Sequence, residues 1–196
     1  MTTSITGPAV VPIAFESRSA LRRAEGALVV GALAAVALAA VELFATTTPD
    51  EGHFHYLGDY LLTASGIPYM LALLVLLTSL RTLQGRRDGR TGYIGSAIAS
   101  VGAVVLTGIF GYGLIAATSS SLGPTYVLAA LATVVGVIVF AVGSWRAGLL
   151  PRWLLVAWPV AWILGSALPF PGPWPLLLAA LYVVMAVVLP RRAHFQ

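Results

Sequence analysis

Six long apolar segments follow one another along this chain, and this pattern constrains the fold more than any other feature. The first runs from Ala27 to Ala45, the second from about Tyr56 to Leu80 and the third from Tyr93 to Ala117. The fourth covers Tyr126–Trp145, the fifth Trp153–Leu168 and the sixth Trp174–Leu189, ending at Pro190. Each is near the roughly 20 residues that a helix needs to cross about 30 Å of hydrocarbon, with the last two on the short side. Only 9% of the 196 residues are charged and 59% are hydrophobic, whereas soluble domains carry roughly 25% charged residues. In water such a chain would expose large apolar patches. The absence of an alternating pattern over about ten residues argues against a membrane β-barrel. The expected fold is therefore an all-α membrane protein, a bundle of six transmembrane helices over residues 21–192, with a poorly ordered tail over 1–20 and a short one over 193–196.

Charge placement sets the expected orientation. All eleven basic residues are arginine, which, with the Ala, Gly and Val content, reads as codon bias. Arg18, Arg22 and Arg23 precede the first segment, and Arg81, Arg86, Arg87 and Arg90 lie between the second and third. Arg146 and Arg152 lie between the fourth and fifth, and Arg191 and Arg192 follow the sixth. With six crossings these all fall on one side, so both termini are expected in the cytoplasm. Membrane topology also accounts for the net charge of +4 without a nucleic-acid partner. Trp145, Trp153, Trp174, Tyr56, Tyr93 and Tyr126 sit near segment ends, as interfacial aromatics do.

The first apolar run follows arginines as in a signal peptide, but it exceeds the usual apolar core of about 7–15 residues. It is expected to stay as a helix. Within it Ala27, Gly31, Ala35 and Ala39 recur every four residues, a smooth strip suited to close helix contact. Gly108, Gly111 and Gly113 in the third segment read the same way. Pro68 and Pro159 occupy matching places in two three-helix halves, a weak pointer to an inverted repeat, yet the halves share no residue-level similarity. The glycines around Arg90–Gly95 lack both a preceding strand and the Gly-Lys-Ser/Thr of a phosphate loop. With no cysteine, disulfides and thiol chemistry are excluded, and no serine has a nearby His and Asp to activate it.

The stretch Glu42–Asp59 concentrates the titratable groups: Glu42, Asp50, Glu51 and Asp59 with His53 and His55. Glu42 lies 19 residues after Arg23, roughly 28 Å of helix. Asp59 lies 22 residues before Arg81, roughly 33 Å, so both carboxylates reach the same boundary of the bilayer. Thr48-Pro49-Asp50-Glu51 has the form of a capping box. If the second helix starts there, Glu51, His55 and Asp59 share one face; a loop up to Tyr56 is the alternative. The ordinary role for these residues is capping and solvation. The chemical reading joins Glu42, Asp59 and His55 in an acid–base or binding cluster. A metal site is the weakest option, because His53 and His55 diverge by about 200° on a helix.

The phrases RAGLLPRW (Arg146–Trp153) and LGPTYVLAAL (Leu122–Leu131) resemble those in small, uncharacterised multi-spanning membrane proteins of high-GC actinobacteria. The likeness covers the third to fifth segments and consists of loop and interface patterns. It implies a multi-pass protein of the bacterial inner membrane, and it carries no activity or cofactor.

Three functions are compatible with these features. The leading one is a non-catalytic membrane component, in contact with membrane lipid, that packs against a partner protein or another copy of itself or binds a lipophilic ligand. The second is a small intramembrane enzyme with Glu42 and Asp59 as acid and base beside His55. The third is a transporter. None requires a cofactor.

Overall fold

A computed structural model of the chain describes residues 13–47, 52–85, 87–118, 123–166 and 174–193. Six helices account for most of them: α1 (Ile13–Phe44), α2 (Leu57–Leu83), α3 (Gly89–Ala116), α4 (Pro124–Ala147), α5 (Arg152–Ser166) and α6 (Trp174–Ala193). Among the described residues the only extended pairing is an isolated bridge between His53 and Thr118.

Five of the helices are long and apolar enough to cross a membrane. The exception is α5, whose 15 residues span roughly 22 Å; the remainder of its expected span, to Leu168, lies outside the described residues. Helices α2 and α5, matched by their prolines, thus differ almost twofold in length. At the start of the chain the helix extends further than expected. Among the described residues α1 already begins at Ile13. Arg18, expected in the tail, therefore lies on α1 with Arg22 and Arg23, and the Arg23 guanidinium donates to the Ser19 carbonyl at 3.3 Å. At the other end, α6 carries Pro190 in its last turn and continues to Ala193.

Each helix packs on its neighbours in chain order, and α6 returns to pack on α1. The interior is filled by aromatic side chains from four helices. The rings of Tyr69 and Trp162 stack with centroids 5.2 Å apart, Tyr182 lies 6.4 Å from Tyr69, and Phe140 meets Trp158 edge-on at 6.2 Å. Buried leucines of α2 (Leu73, Leu76, Leu77, Leu80) surround them. Outward faces carry Val29, Leu33, Val101, Val104, Leu128, Leu131, Val156 and Val183, all exposed, as hydrocarbon solvent requires.

Small residues decide how closely the backbones approach. The strip Ala27, Gly31, Ala35, Ala39 is buried throughout. A Cβ on Gly31 would lie 2.8 Å from the Tyr182 ring and 3.4 Å from the Ala72 methyl, so this strip receives α6 and α2. The tightest seam joins α3 to α4. A Cβ on Gly95 would fall on the Phe140 backbone, one on Gly102 on Thr133 and the Ala129 carbonyl, and one on Gly136 on the Ala99 backbone. Gly143 abuts the Gly92 backbone. The expectation for the far end of α3 needs correction. Gly113 lies near Thr118 and Phe54, but a Cβ on Gly108 or Gly111 would meet nothing within 4 Å among the described residues, so neither takes part in close packing there.

Candidate functional site

At the turn between α2 and α3 the two helices diverge and leave a surface cleft of about 610 Å³. One wall is Thr78, Arg81, Thr82 and Gly85; the other is Tyr93, Ser96, Ala97 and Ser100. The second set has the spacing i, i+3, i+4, i+7, a single face of α3; in the first, Thr78, Arg81 and Thr82 share a face of α2 and Gly85 lies just past its end. From Tyr93 to Ser100 the cleft follows α3 for roughly 10 Å. It therefore runs from the helix ends, where the arginines lie, into the depth occupied by apolar side chains.

Arg81 sits at the neck of this cleft. Its Nε lies 3.2 Å from Oδ2 of Asp88, with the Arg81 side chain 27% exposed and that of Asp88 fully buried. The guanidinium carbon also lies 4.8 Å from the centre of the Tyr93 ring. Two contacts from different directions fix a long side chain that would otherwise be mobile. Gly92 makes room for the Asp88 side chain, since a Cβ there would collide with the carboxylate. Behind Asp88, the buried Ser144 hydroxyl of α4 faces Gln84 Oε1 at 3.4 Å. Asp88 Oδ1 and Gln84 Nε2 are buried with no hydrogen-bond partner among the described residues. Nearby, Arg152 lies 5.7 Å from the centre of the Trp145 ring. The end of α2, the start of α3 and the end of α4 thus meet at one pole.

Three of the hydroxyls lining the cleft have a defined polarity. Thr78 donates to the Leu74 carbonyl at 3.0 Å, Thr82 to the Thr78 carbonyl at 2.9 Å, and Ser96 to the Tyr93 carbonyl at 2.9 Å. A hydroxyl has one proton and two lone pairs, so these three present acceptors to the cleft. Arg81 presents donors.

The opposite pole holds Glu42, His55 and Asp59. Residues 52–56, just before α2, are not helical. Phe54 N–H donates to the Ala117 carbonyl at 2.8 Å, and the Thr118 hydroxyl donates to the Gly52 carbonyl at 3.1 Å. This clasp holds the chain extended, with Tyr56 at φ −119°, ψ 153°, until α2 starts at Leu57. The shared helical face of Glu51, His55 and Asp59 is therefore not formed, because His55 lies before the helix; Glu51 and the rest of the box Thr48–Glu51 lie outside the described residues. The cap is Asp59 itself, whose Oδ2 accepts from the backbone N–H of Tyr56 at 3.0 Å and of His55 at 3.1 Å. Asp59 is 6% exposed. Close by, the Gly58 backbone is tight against the Thr46 carbonyl that follows α1. Glu42 and His55 are exposed. His55 thus reaches Asp59 through its backbone. No group of three or more His, Cys, Asp or Glu able to hold a metal occurs among the described residues.

The cleft residues were not singled out from sequence. Arg81 counts there as a topology marker, and hydroxyls in apolar runs pass as inert. The signal available was the repeat of hydroxyls around an arginine at helical spacing on two consecutive segment ends. Searches against protein-family models, curated proteins and solved structures find no match for this chain.

Proposed function

We propose that this protein is a non-catalytic, multi-pass component of a bacterial inner membrane that binds an amphipathic, lipid-like ligand in the cleft between α2 and α3, with both termini in the cytoplasm. The cleft is the observation that carries this reading. Its volume of about 610 Å³ falls within the range of roughly 300–1,000 Å³ typical of ligand sites. It combines a fixed arginine and several hydroxyls with apolar surface and opens on the outside of the bundle, where lipid is the neighbour. The cytoplasmic placement of the termini rests on the arginine distribution and requires α5 to cross.

One feature favours ligand binding over docking of a partner helix. The small-residue strip of α1 and the glycines Gly95 and Gly102 of α3, surfaces suited to receive another helix, are occupied by α6, α2 and α4, while Gly108 and Gly111 of α3 stay open among the described residues. The acid–base alternative at Glu42, His55 and Asp59 has less support. The Asp59 carboxylate is held as a helix cap, and the cleft lies at the far end of α2.

Native mass spectrometry of the protein extracted in mild detergent tests the proposal. Wild type should carry lipid-mass adducts, and Ala97→Trp, which fills the cleft from an exposed wall position, should lose them while unfolding at the wild-type temperature. Adducts that persist in a stably folded Ala97→Trp variant would refute the assignment.

A further inference from the structure

Resting on that reading of the cleft, we infer that its ligand is a phospholipid whose headgroup joins a phosphate to a hydrogen-bond donor, as in phosphoglycerol or phosphoethanolamine, and that the donor-free phosphocholine headgroup is discriminated against. The juxtaposition of two opposite polarities leads there. Among the described residues Asp88 takes the Nε of Arg81, which leaves the two-nitrogen edge of the guanidinium for the cleft. That planar edge matches two oxygens of a phosphate. Beside it Thr78, Thr82 and Ser96 have spent their protons on backbone carbonyls. Their remaining lone pairs repel a second anionic oxygen and accept from O–H or N–H groups. A bare anion satisfies the arginine but leaves these three acceptors without a donor. A phosphate bearing a neighbouring hydroxyl or ammonium satisfies both walls.

Position supports the same occupant. Arg81 is at the pole where the helices end, and the exposed Arg87 and Arg90 stand in the same turn region. Headgroup phosphates lie at that level, while the cleft continues along α3 to Ser100, at acyl-chain depth. Asp88 acts as a positioning residue, since its fully buried carboxylate orients the guanidinium without reaching the ligand.

The test is native mass spectrometry on delipidated full-length protein given an equimolar mixture of phosphatidylglycerol, phosphatidylethanolamine and phosphatidylcholine of identical acyl chains. One hydrogen bond corresponds to up to about a tenfold preference, so the first two should exceed the third by up to about that factor. Arg81→Gln should lower all three adducts, because it removes the phosphate contact that they share. Ser96→Ala with Thr82→Val, which leaves Arg81 in place, should reduce the first two toward the third and covers the case of a poorly folded Arg81 variant. Equal occupancy by all three lipids in wild type, lost in Ala97→Trp, would overturn the headgroup inference and leave the cleft reading standing. No adduct in wild type would overturn both. Free glycerol phosphate, added in excess, should not displace phosphatidylglycerol; displacement would identify a soluble phosphate ester as the ligand and contradict the lipid assignment.

Discussion

Nε of Arg81, near the end of α2, lies 3.2 Å from Oδ2 of Asp88, seven residues on at the start of α3. The pair closes the turn between two helices and also aims the guanidinium along the cleft. Removing Asp88 leaves a partly buried cation and an empty space over Gly92. Asp88→Ala should therefore destabilise the protein by roughly 2 kcal/mol, below the 3–5 kcal/mol typical of fully buried pairs because Arg81 is partly exposed. Thermal unfolding in detergent of the two single variants and of the Arg81→Ala/Asp88→Ala double variant would measure the coupling. Additive effects would show that the contact contributes nothing.

The glycines divide into two groups with opposite expected behaviour. Gly31→Leu must displace Tyr182 from the aromatic interior, and Gly136→Ala must push α4 off the Ala99 backbone. Each should cost at least about 2 kcal/mol, as overpacking does. Gly108→Ala and Gly111→Ala enter open space and should be neutral or stabilising by up to about 1 kcal/mol, because alanine is the better helix former. Unfolding midpoints of the four variants would check this, and an unaffected Gly136→Ala would contradict the α3–α4 seam.

At the other pole, Asp59→Ala removes an acceptor shared by two backbone N–H groups and should cost about 1–2 kcal/mol. Asp59→Asn keeps a side-chain oxygen at the same reach and should recover most of that loss. Glu42→Gln, at an exposed site, should change stability by less than about 0.5 kcal/mol. If Glu42→Gln and Asp59→Asn instead each alter the pH dependence of stability between about pH 5 and 8, a proton is shared between them and the acid–base reading gains ground.

The proposed orientation is open to a direct chemical check, because the chain has no cysteine. Cysteines introduced singly at Arg87 and His53, both exposed, should differ in reactivity toward an impermeant thiol reagent in intact cells. Position 53 should label and position 87 should not. The reverse pattern would invert the topology.

The helical bundle was legible because hydrophobic run length is a one-dimensional signal. The buried strip on α1 was legible too, since four small residues at a fixed spacing leave only the choice of which surface they face. The α3–α4 seam was not. Gly92, Gly95 and Gly102 share one helix face at i, i+3 and i+10 while Gly108 and Gly111 fall on another, but the sequence does not say which of the two faces meets a partner until α4 is in place. The start of α1 was missed because the apolar run alone was taken to mark the helix, and residues 13–20 are mixed in character. Among the candidate residues, Asp59 was read with Glu42 and His55 as a cluster, and in the structure its carboxylate caps the start of α2. Its role depends on the contact of Phe54 and Thr118 with residues more than sixty positions distant, which local spacing cannot reveal. The cleft escaped notice for a related reason. Each of its polar residues has an ordinary explanation alone, and the pairing of α2 with α3 gives them a joint one.

Photocrosslinking tests the central claim, lipid binding between α2 and α3, most directly. A phosphatidylglycerol analogue carrying a diazirine near its glycerol backbone would be incorporated into membranes containing the protein, irradiated, and the labelled peptides mapped. The account predicts crosslinks concentrated on residues 78–100, with Ala97→Trp abolishing them. Labels spread evenly over the exposed faces of α1, α4 and α6, unchanged by that substitution, would contradict it.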